Sequence, residues 1–570
     1  MLAAALVEPA LAATAFSGVA AGDTSLEDAI LWTRTFDPAT GQPVAAALTV
    51  QLAGEPEFRT ILFTYQAASH SARAGTVKID VTGLKSHTRY FYRFIAEDGA
   101  ISAIGQFVTA PREDEKVALR FAFSGDAHGS WRPFPLMRAF AEHKLDYFVY
   151  LGDTMYETAS SGSPAAVDPF ADPTQALADY RRKYLENIQP IKPGGLPGLQ
   201  EMFAAQGNYT LLDNHELGNK QFQSGGAPPG DPPGKGVDPA DPANDVNGSC
   251  SFINRTPGFA ALLQAYLDFQ PVRERRVSAP GDCRSDGTRQ LYFSQRWGAH
   301  GIFVNVDDRS YRDMQMRERS SGAEDTGPRA DNPARTMLGR TQMKWLERTL
   351  SDAQQQGVTW KIVAISSPID QVGRIGPNAF WDGWKSWIGG YRAERDRLLK
   401  FIADNQIEHV VFLTTDDHQN RVHELFYRAD ADDPNSRIPV PGAFTIVAGP
   451  IGAAGPDRFT EHGFGVAKAV ADKLVEAERA SGVAPIGFRP DFPGLKAVYR
   501  EGDPNADAVR EPADFYSPDT FNYVTLAISA DGRSLAVDTW GIDSYAANRF
   551  PEPGEIAAPR RILGFAVEAN

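Results

Sequence analysis

LRFAFSGDAHGSWRPFPLMRAFAEHKLDYFVYLGD, running from Leu119 to Asp153, decides the fold class. Leu119–Gly125 alternates as a strand does, Phe134–His143 places Leu136, Met137 and Phe140 at helical spacing, and Tyr147–Leu151 is an apolar run of strand length. Strand, helix and strand within about 30 residues make a βαβ unit, whose two strands lie parallel and end on the same side of the sheet. Asp126 and Asp153 then emerge side by side on the carboxyl edge, where open α/β sheets build their sites.

Two further segments repeat that geometry. Tyr209–Leu212 runs into Asp213-Asn214-His215-Glu216, and His409–Thr414 runs into Thr415-Asp416-Asp417-His418. Each block alone is ordinary turn chemistry. Together they read as the ligand set of a dinuclear metal site: Asp126, His128, Asp153, Asn214, Asp416 and His418, with Asp153 able to bridge two cations about 3.5–4 Å apart. A donor set of oxygens and imidazoles without a thiolate suits iron, manganese, calcium, magnesium or zinc. Two such cations lower the pKa of water from 15.7 towards about 7 and neutralise charge on phosphoryl oxygens, which predicts a phosphate ester hydrolase. His215, next to Asn214, is the natural general acid for the leaving group, with Glu216 or Asp213 to orient it.

Phosphate contacts are expected from Arg309 or Arg374, with a solvated surface charge as the alternative for each; Lys220 reads as a solvated charge before a phosphate contact. Trp381, Trp384 and Trp387 recur every three residues. On a helix they would form one face packed on the core; with Gly383, Gly389 and Gly390 they read as a loop in which Trp384 walls the pocket and meets an apolar leaving group.

At 570 residues and 42% hydrophobic, the chain is too long for one compact domain. It has no run of 18 apolar residues, so no membrane span is expected. A net charge of -15 argues against a stable nucleic-acid partner, and a phosphate site must therefore create its own positive field from cations. Residues 1–13 read as a signal-peptide remnant with an Ala10-Leu-Ala12 cleavage site, or as a disordered tail, and predict a periplasmic or secreted protein. Cys250 and Cys283 either close a disulfide in such an oxidising compartment or are two free thiols.

Residues 14–112 hold short alternating segments at Ala29–Arg34, Ala47–Gln51, Ile61–Tyr65, Val77–Val81, Tyr90–Phe94 and Gly105–Thr109, which predict a separate immunoglobulin or fibronectin-III-like β-sandwich. Leu84 with Tyr90 resembles a tyrosine corner. Ala110–Lys116 is the expected linker, and residues 117–570 the catalytic domain, interrupted by a Pro- and Gly-rich loop at Gly225–Gly248. Phe521–Ser529 and Ser534–Trp540 read as a hairpin adding edge strands.

The order Asp-x-His, Gly-Asp, Asn-His-Glu and a late His resembles the calcineurin-like metallophosphatase superfamily. Gly18–Asp23, Leu31–Arg34, Leu151–Glu157, Asp213–Glu216, Asp307–Arg312, Leu338-Gly339 with Gln342, and Trp381–Gly383 narrow the resemblance to PhoD-like alkaline phosphatases and phosphodiesterases. That resemblance implies an α/β (α+β) fold with two central β-sheets flanked by helices, and iron together with calcium as the metals. Tyr156 is similar to the iron-binding tyrosine of purple acid phosphatases, or is a plain core aromatic. Asp126 stands where PhoD-like chains usually carry cysteine, and Ser366-Ser367 where the superfamily has histidine. A phospholipase-D-like phosphodiesterase and a non-catalytic surface binding protein are the alternative functions; the oligomeric state is open.

Overall fold

A computed structural model describes residues 13–160, 162–191, 198–218, 252–313, 332–372, 387, 390–430, 433, 436–455, 463–552 and 554–569. Arg374, Trp381, Trp384, Lys220, Cys250, residues 1–12 and the 225–248 loop lie outside the described residues.

The βαβ unit forms as read. Leu119–Ser124 and Tyr147–Tyr150 pair in parallel, Phe121 opposite Tyr147. Their crossover is a 3-10 helix, Pro135–His143. Its rise of about 2.0 Å per residue, against about 1.5 Å in an α-helix, lets a short segment recross the sheet.

These strands are the middle of a ten-stranded sheet. In spatial order it runs Leu495–Arg500, Arg560–Glu568, Ser534–Asp543, Thr520–Ile528, Leu119–Ser124, Tyr147–Tyr150, Gly207–Thr210, Ala15–Gly22, Asp28–Phe36 and Thr76–Thr82. A seven-stranded sheet faces it, with Gly301–Asn305, Trp360–Ala364, Val410–Thr414 and Arg437–Val447 parallel at its centre. Strand alternation distributes the core. Phe121, Phe123 and Val149 meet Phe303, Ile362, Val411 and Leu413 between the sheets. Ala122, Phe148 and Tyr150 point the other way, under the helices Pro173–Ile188 and Pro257–Phe269. Strands buried on both faces are the reason these segments read as apolar runs. Arg340–Gln355 and Arg392–Asp404 cover the outer face of the second sheet, on Val304, Val363 and Phe412.

The helices are delimited locally. Asp172 accepts the N–H of Gln175 and Thr256 that of Phe259, each cap followed by a proline at the first helical position. Trp387 is fully buried in the core of the second sheet, so the core reading holds for that tryptophan. Among the described residues no helix is long and apolar enough to cross a membrane.

Two expectations change. All six N-terminal strands form, and Tyr90 accepts the backbone N–H of Lys85 at 2.9 Å as a tyrosine corner would. Yet only Ile61–Ala68, Ala47–Ala53, Arg89–Ala96 and Gly105–Val108 make a sheet of their own. The other layer is continuous with the catalytic sheet, because Ala15–Gly22 pairs in parallel with Gly207–Thr210. Trp32 reaches through it and donates its indole N–H to the Asp268 carbonyl at 2.7 Å. The C-terminal hairpin also forms, but its strands are internal: Thr520–Ile528 pairs with Leu119–Ser124, and Ser534–Asp543 with Arg560–Glu568. Alternation along a strand reports its faces and is silent about its neighbours.

Candidate metal centre and active site

Both sheets end at one place. From the large sheet, Leu119–Ser124 delivers Asp126, Tyr147–Tyr150 delivers Asp153, and Gly207–Thr210 delivers Asp213 and Asn214; from the second, Gly301–Asn305 delivers Asp307 to Arg309, and Val410–Thr414 delivers Asp416 and His418. Asp126, Asp153, Asp416 and His418 all have positive φ, 64°, 52°, 70° and 57°. Such backbone in non-glycine residues costs on the order of 1–3 kcal/mol each and clusters at functional sites. Gly152 lets the loops close: a Cβ there would lie 2.5 Å from the Cβ of Asp213.

The side chains form two clusters whose ligand atoms lie within 4.8 Å of one another: Asp126, Asp153 and His418, and Asp153, Asp213 and Asp416. Asp153 belongs to both. Its Oδ1 accepts the backbone N–H of His215 at 3.0 Å, while Oδ2 is buried with no hydrogen-bond partner. Asp213 Oδ2 is in the same condition. Burial, reinforced by Asp213, Glu216, Asp126 and Asp416, pushes the Asp153 carboxyl far above the usual range. Burial does the same to Asp213, against the opposing pull of Arg309. Buried carboxylates with unsatisfied oxygens and too few cations fit a site completed by metal ions.

His418 could serve as a ligand. Its Nδ1 faces the Ala454 carbonyl, which only accepts, so the proton sits on Nδ1 and Nε2 carries the lone pair. That Nε2 lies 3.1 Å from Asp126 Oδ1 and 3.0 Å from the Tyr156 hydroxyl. The Tyr156 ring lies against His215 at a tilt of 32°, with centroids 3.8 Å apart. Burial, then Asp153 and Asp126, raises the Tyr156 phenol well above its ordinary value. Asn214 is fully buried beside the clusters.

Other predicted residues sit differently. His128 is outside both clusters: its Nδ1 accepts the Ser130 N–H at 3.0 Å, and its Nε2 meets Thr158 Oγ1 at 2.9 Å. Arg309 is 2% exposed rather than solvated, with Nη2 bound to Asp213 and, at 2.9 Å, to Asp416 Oδ2. Burial would lower its pKa, but Asp213, Asp416 and Asp308 outweigh that and hold it charged.

The orienting partner of His215 is neither Glu216 nor Asp213. His215 Nδ1 lies 2.5 Å from Glu157 Oε2, leaving Nε2 turned towards Asp153 Oδ2 at 3.8 Å. Burial pushes Glu157 up, yet the neighbouring His215 prevails and lowers its pKa. Glu216 instead accepts the backbone N–H groups of Asp153, Thr154 and Asp213 at 2.9, 2.6 and 2.8 Å, tying two ligand loops together. Asp213 is a cluster member that the sequence reading placed only as an orienter. Ser366 Oγ lies 2.8 Å from both Asp213 Oδ1 and Asp308 Oδ1, with one proton to donate to either.

Comparison with known proteins shows the family and the fold. The PhoD-like phosphatase model matches residues 121–484, and its N-terminal domain model residues 3–111. Alkaline phosphatase D of Bacillus subtilis (strain 168) is 26% identical over 439 residues, 74% of this chain and 67% of that protein. The solved structure of PhoD covers 97% of this chain and 90% of its own at 22% identity, with a TM-score of 0.69, which shows a shared fold. Two sheets converging on a shared carboxylate, and a family match across most of the catalytic domain, lead to one conclusion: the chain belongs to the PhoD-like phosphatase family and is a phosphoric ester hydrolase.

Proposed function

We propose that this protein hydrolyses small phosphoric monoesters and diesters at a dinuclear centre of iron and calcium. The observation that carries the reading is Asp153, shared by both ligand clusters and keeping one buried oxygen unbonded. Asp126, Tyr156 and His418 with Asp153 would hold one cation; Asp213, Asp416 and Asn214 with Asp153 would hold the other. A phenol beside carboxylate and imidazole suits iron, and a set dominated by carboxylate and amide oxygens suits calcium. When bound, the cations supply Lewis acidity at the phosphoryl oxygens and an acidified water.

The residues supply the rest. As an imidazolium, His215 would offer its Nε2 proton to the departing alkoxide, with Nδ1–H held by Glu157. Arg309 offsets Asp213 and Asp416 from within. The disulfide at Cys283 supports an oxidising, extracytoplasmic location, which fractionation of the native host tests.

Elemental analysis of the purified protein with a visible spectrum tests the metals. A tyrosinate–iron band at about 400–600 nm, lost in Tyr156→Phe with iron retained, is expected. A colourless protein holding only zinc would overturn the assignment of Tyr156. Side-by-side assay of bis-nitrophenyl phosphate, a monoester and phosphatidylcholine separates this reading from a phospholipase-D-like one.

A further inference from the structure

Behind the loop that carries Arg309 lies a cavity of about 300 Å³, walled in part by Ser310 and Tyr311. One side is the helix Pro257–Phe269, which presents Phe259, Leu263 and Leu267 at successive turns, with the exposed Ala260 beside them. The lining also includes Arg255, Arg276 and Arg289.

The charge there is unbalanced. Arg255 Nη2 donates only to the carbonyls of Cys283 and Asp286, both at 2.6 Å, and Arg276 Nη1 only to that of Gly287 at 2.8 Å. Among the described residues neither meets a carboxylate, and no acidic side chain lines the cavity. Arg289 does pair with Glu274, at 3.1 Å, but that carboxylate also serves Arg73 at 3.0 Å and Lys78 at 3.2 Å. Among the described residues the lining is therefore positive, in a chain of net charge -15. Guanidinium groups with free N–H edges are suited to planar, charge-assisted pairing with an oxyanion.

We propose that this cavity is a second ligand site, distinct from the metal centre, for an organic anion: a carboxylate, sulfonate or phosphate head on a compact apolar body. The arginines take the head and the helix face takes the body. The volume, at the small end of ligand pockets, admits a single ring.

Isothermal titration calorimetry with p-toluenesulfonate, which the enzyme cannot hydrolyse, tests it. The wild-type protein is expected to bind one molecule, more weakly as salt rises. The double variant Arg255→Gln/Arg276→Gln loses at least about tenfold in affinity, as expected when charge-assisted hydrogen bonds are removed. Ala260→Trp, which fills the cavity and keeps the arginines, loses as much. Both variants retain hydrolysis of nitrophenyl phosphate. Absence of binding to wild type, or equal affinity in all three proteins, overturns the proposal; should the double variant fail to fold, Ala260→Trp alone decides.

Discussion

His215 is held by Glu157 on one ring nitrogen and directs the other at the metal ligands. A general acid matters in proportion to the basicity of the leaving group. His215→Ala is therefore expected to slow alkyl phosphate esters by roughly 10²- to 10⁴-fold and nitrophenyl esters far less, with metal content unchanged. Glu157→Gln should reproduce the same selectivity more mildly. Equal slowing of both ester classes would instead make His215 a ligand or a phosphate contact. The cluster residues Asp126, Asp153, Asp416 and His418 were legible because Asp and His at several strand ends exceed what turns require, whereas Asp213 was read only as an orienter and His128 lies outside both clusters. Glu157 was not: although it stands in the Leu151–Glu157 motif, its aim depends on the left-handed turn at Asp153, which no spacing rule reports.

A buried ionic network joins the strand Asn420–Arg428 to the helix Phe464–Ala480. His423 Nδ1 lies 2.7 Å from Asp370 Oδ2 and its Nε2 3.2 Å from Glu478, while Arg421 Nε pairs with Asp370 at 2.6 Å. Burial would lower the His423 pKa, but Asp370 and Glu478 prevail and raise it to about 9. The unfolded imidazole titrates near 6.5. Its contribution to stability is thus complete below about pH 6.5 and is lost as pH rises through about 9. His423→Gln takes the cation from the buried Glu478, while Asp370 keeps Arg421, and should cost about 3–5 kcal/mol at pH 6, with the deficit shrinking by pH 9.5. Denaturant titrations of both proteins at the two pH values measure this; a deficit independent of pH would contradict the pairing. A polar network between two elements is invisible in the sequence until the elements pack.

At the scale of the molecule, the N-terminal unit and the catalytic domain share one sheet. Deleting residues 1–112 removes Ala15–Gly22 and leaves Gly207–Thr210 with only one of its two parallel partners, as an open edge. That truncation should aggregate or melt without cooperativity; a soluble, cooperatively folding fragment would restore the picture of an independent sandwich. The six strand segments were readable, but their division between two sheets was not, because pairing is a long-range choice. The same convergence brings Asp126, Asp153 and Asp213 from one sheet to Asp416 and His418 from the other. The most direct test is metal stoichiometry with activity in Asp153→Asn, its fold verified by circular dichroism. The bridging role predicts loss of at least one cation per chain together with phosphate ester hydrolysis; full metal content, or hydrolysis at the wild-type rate, would contradict it.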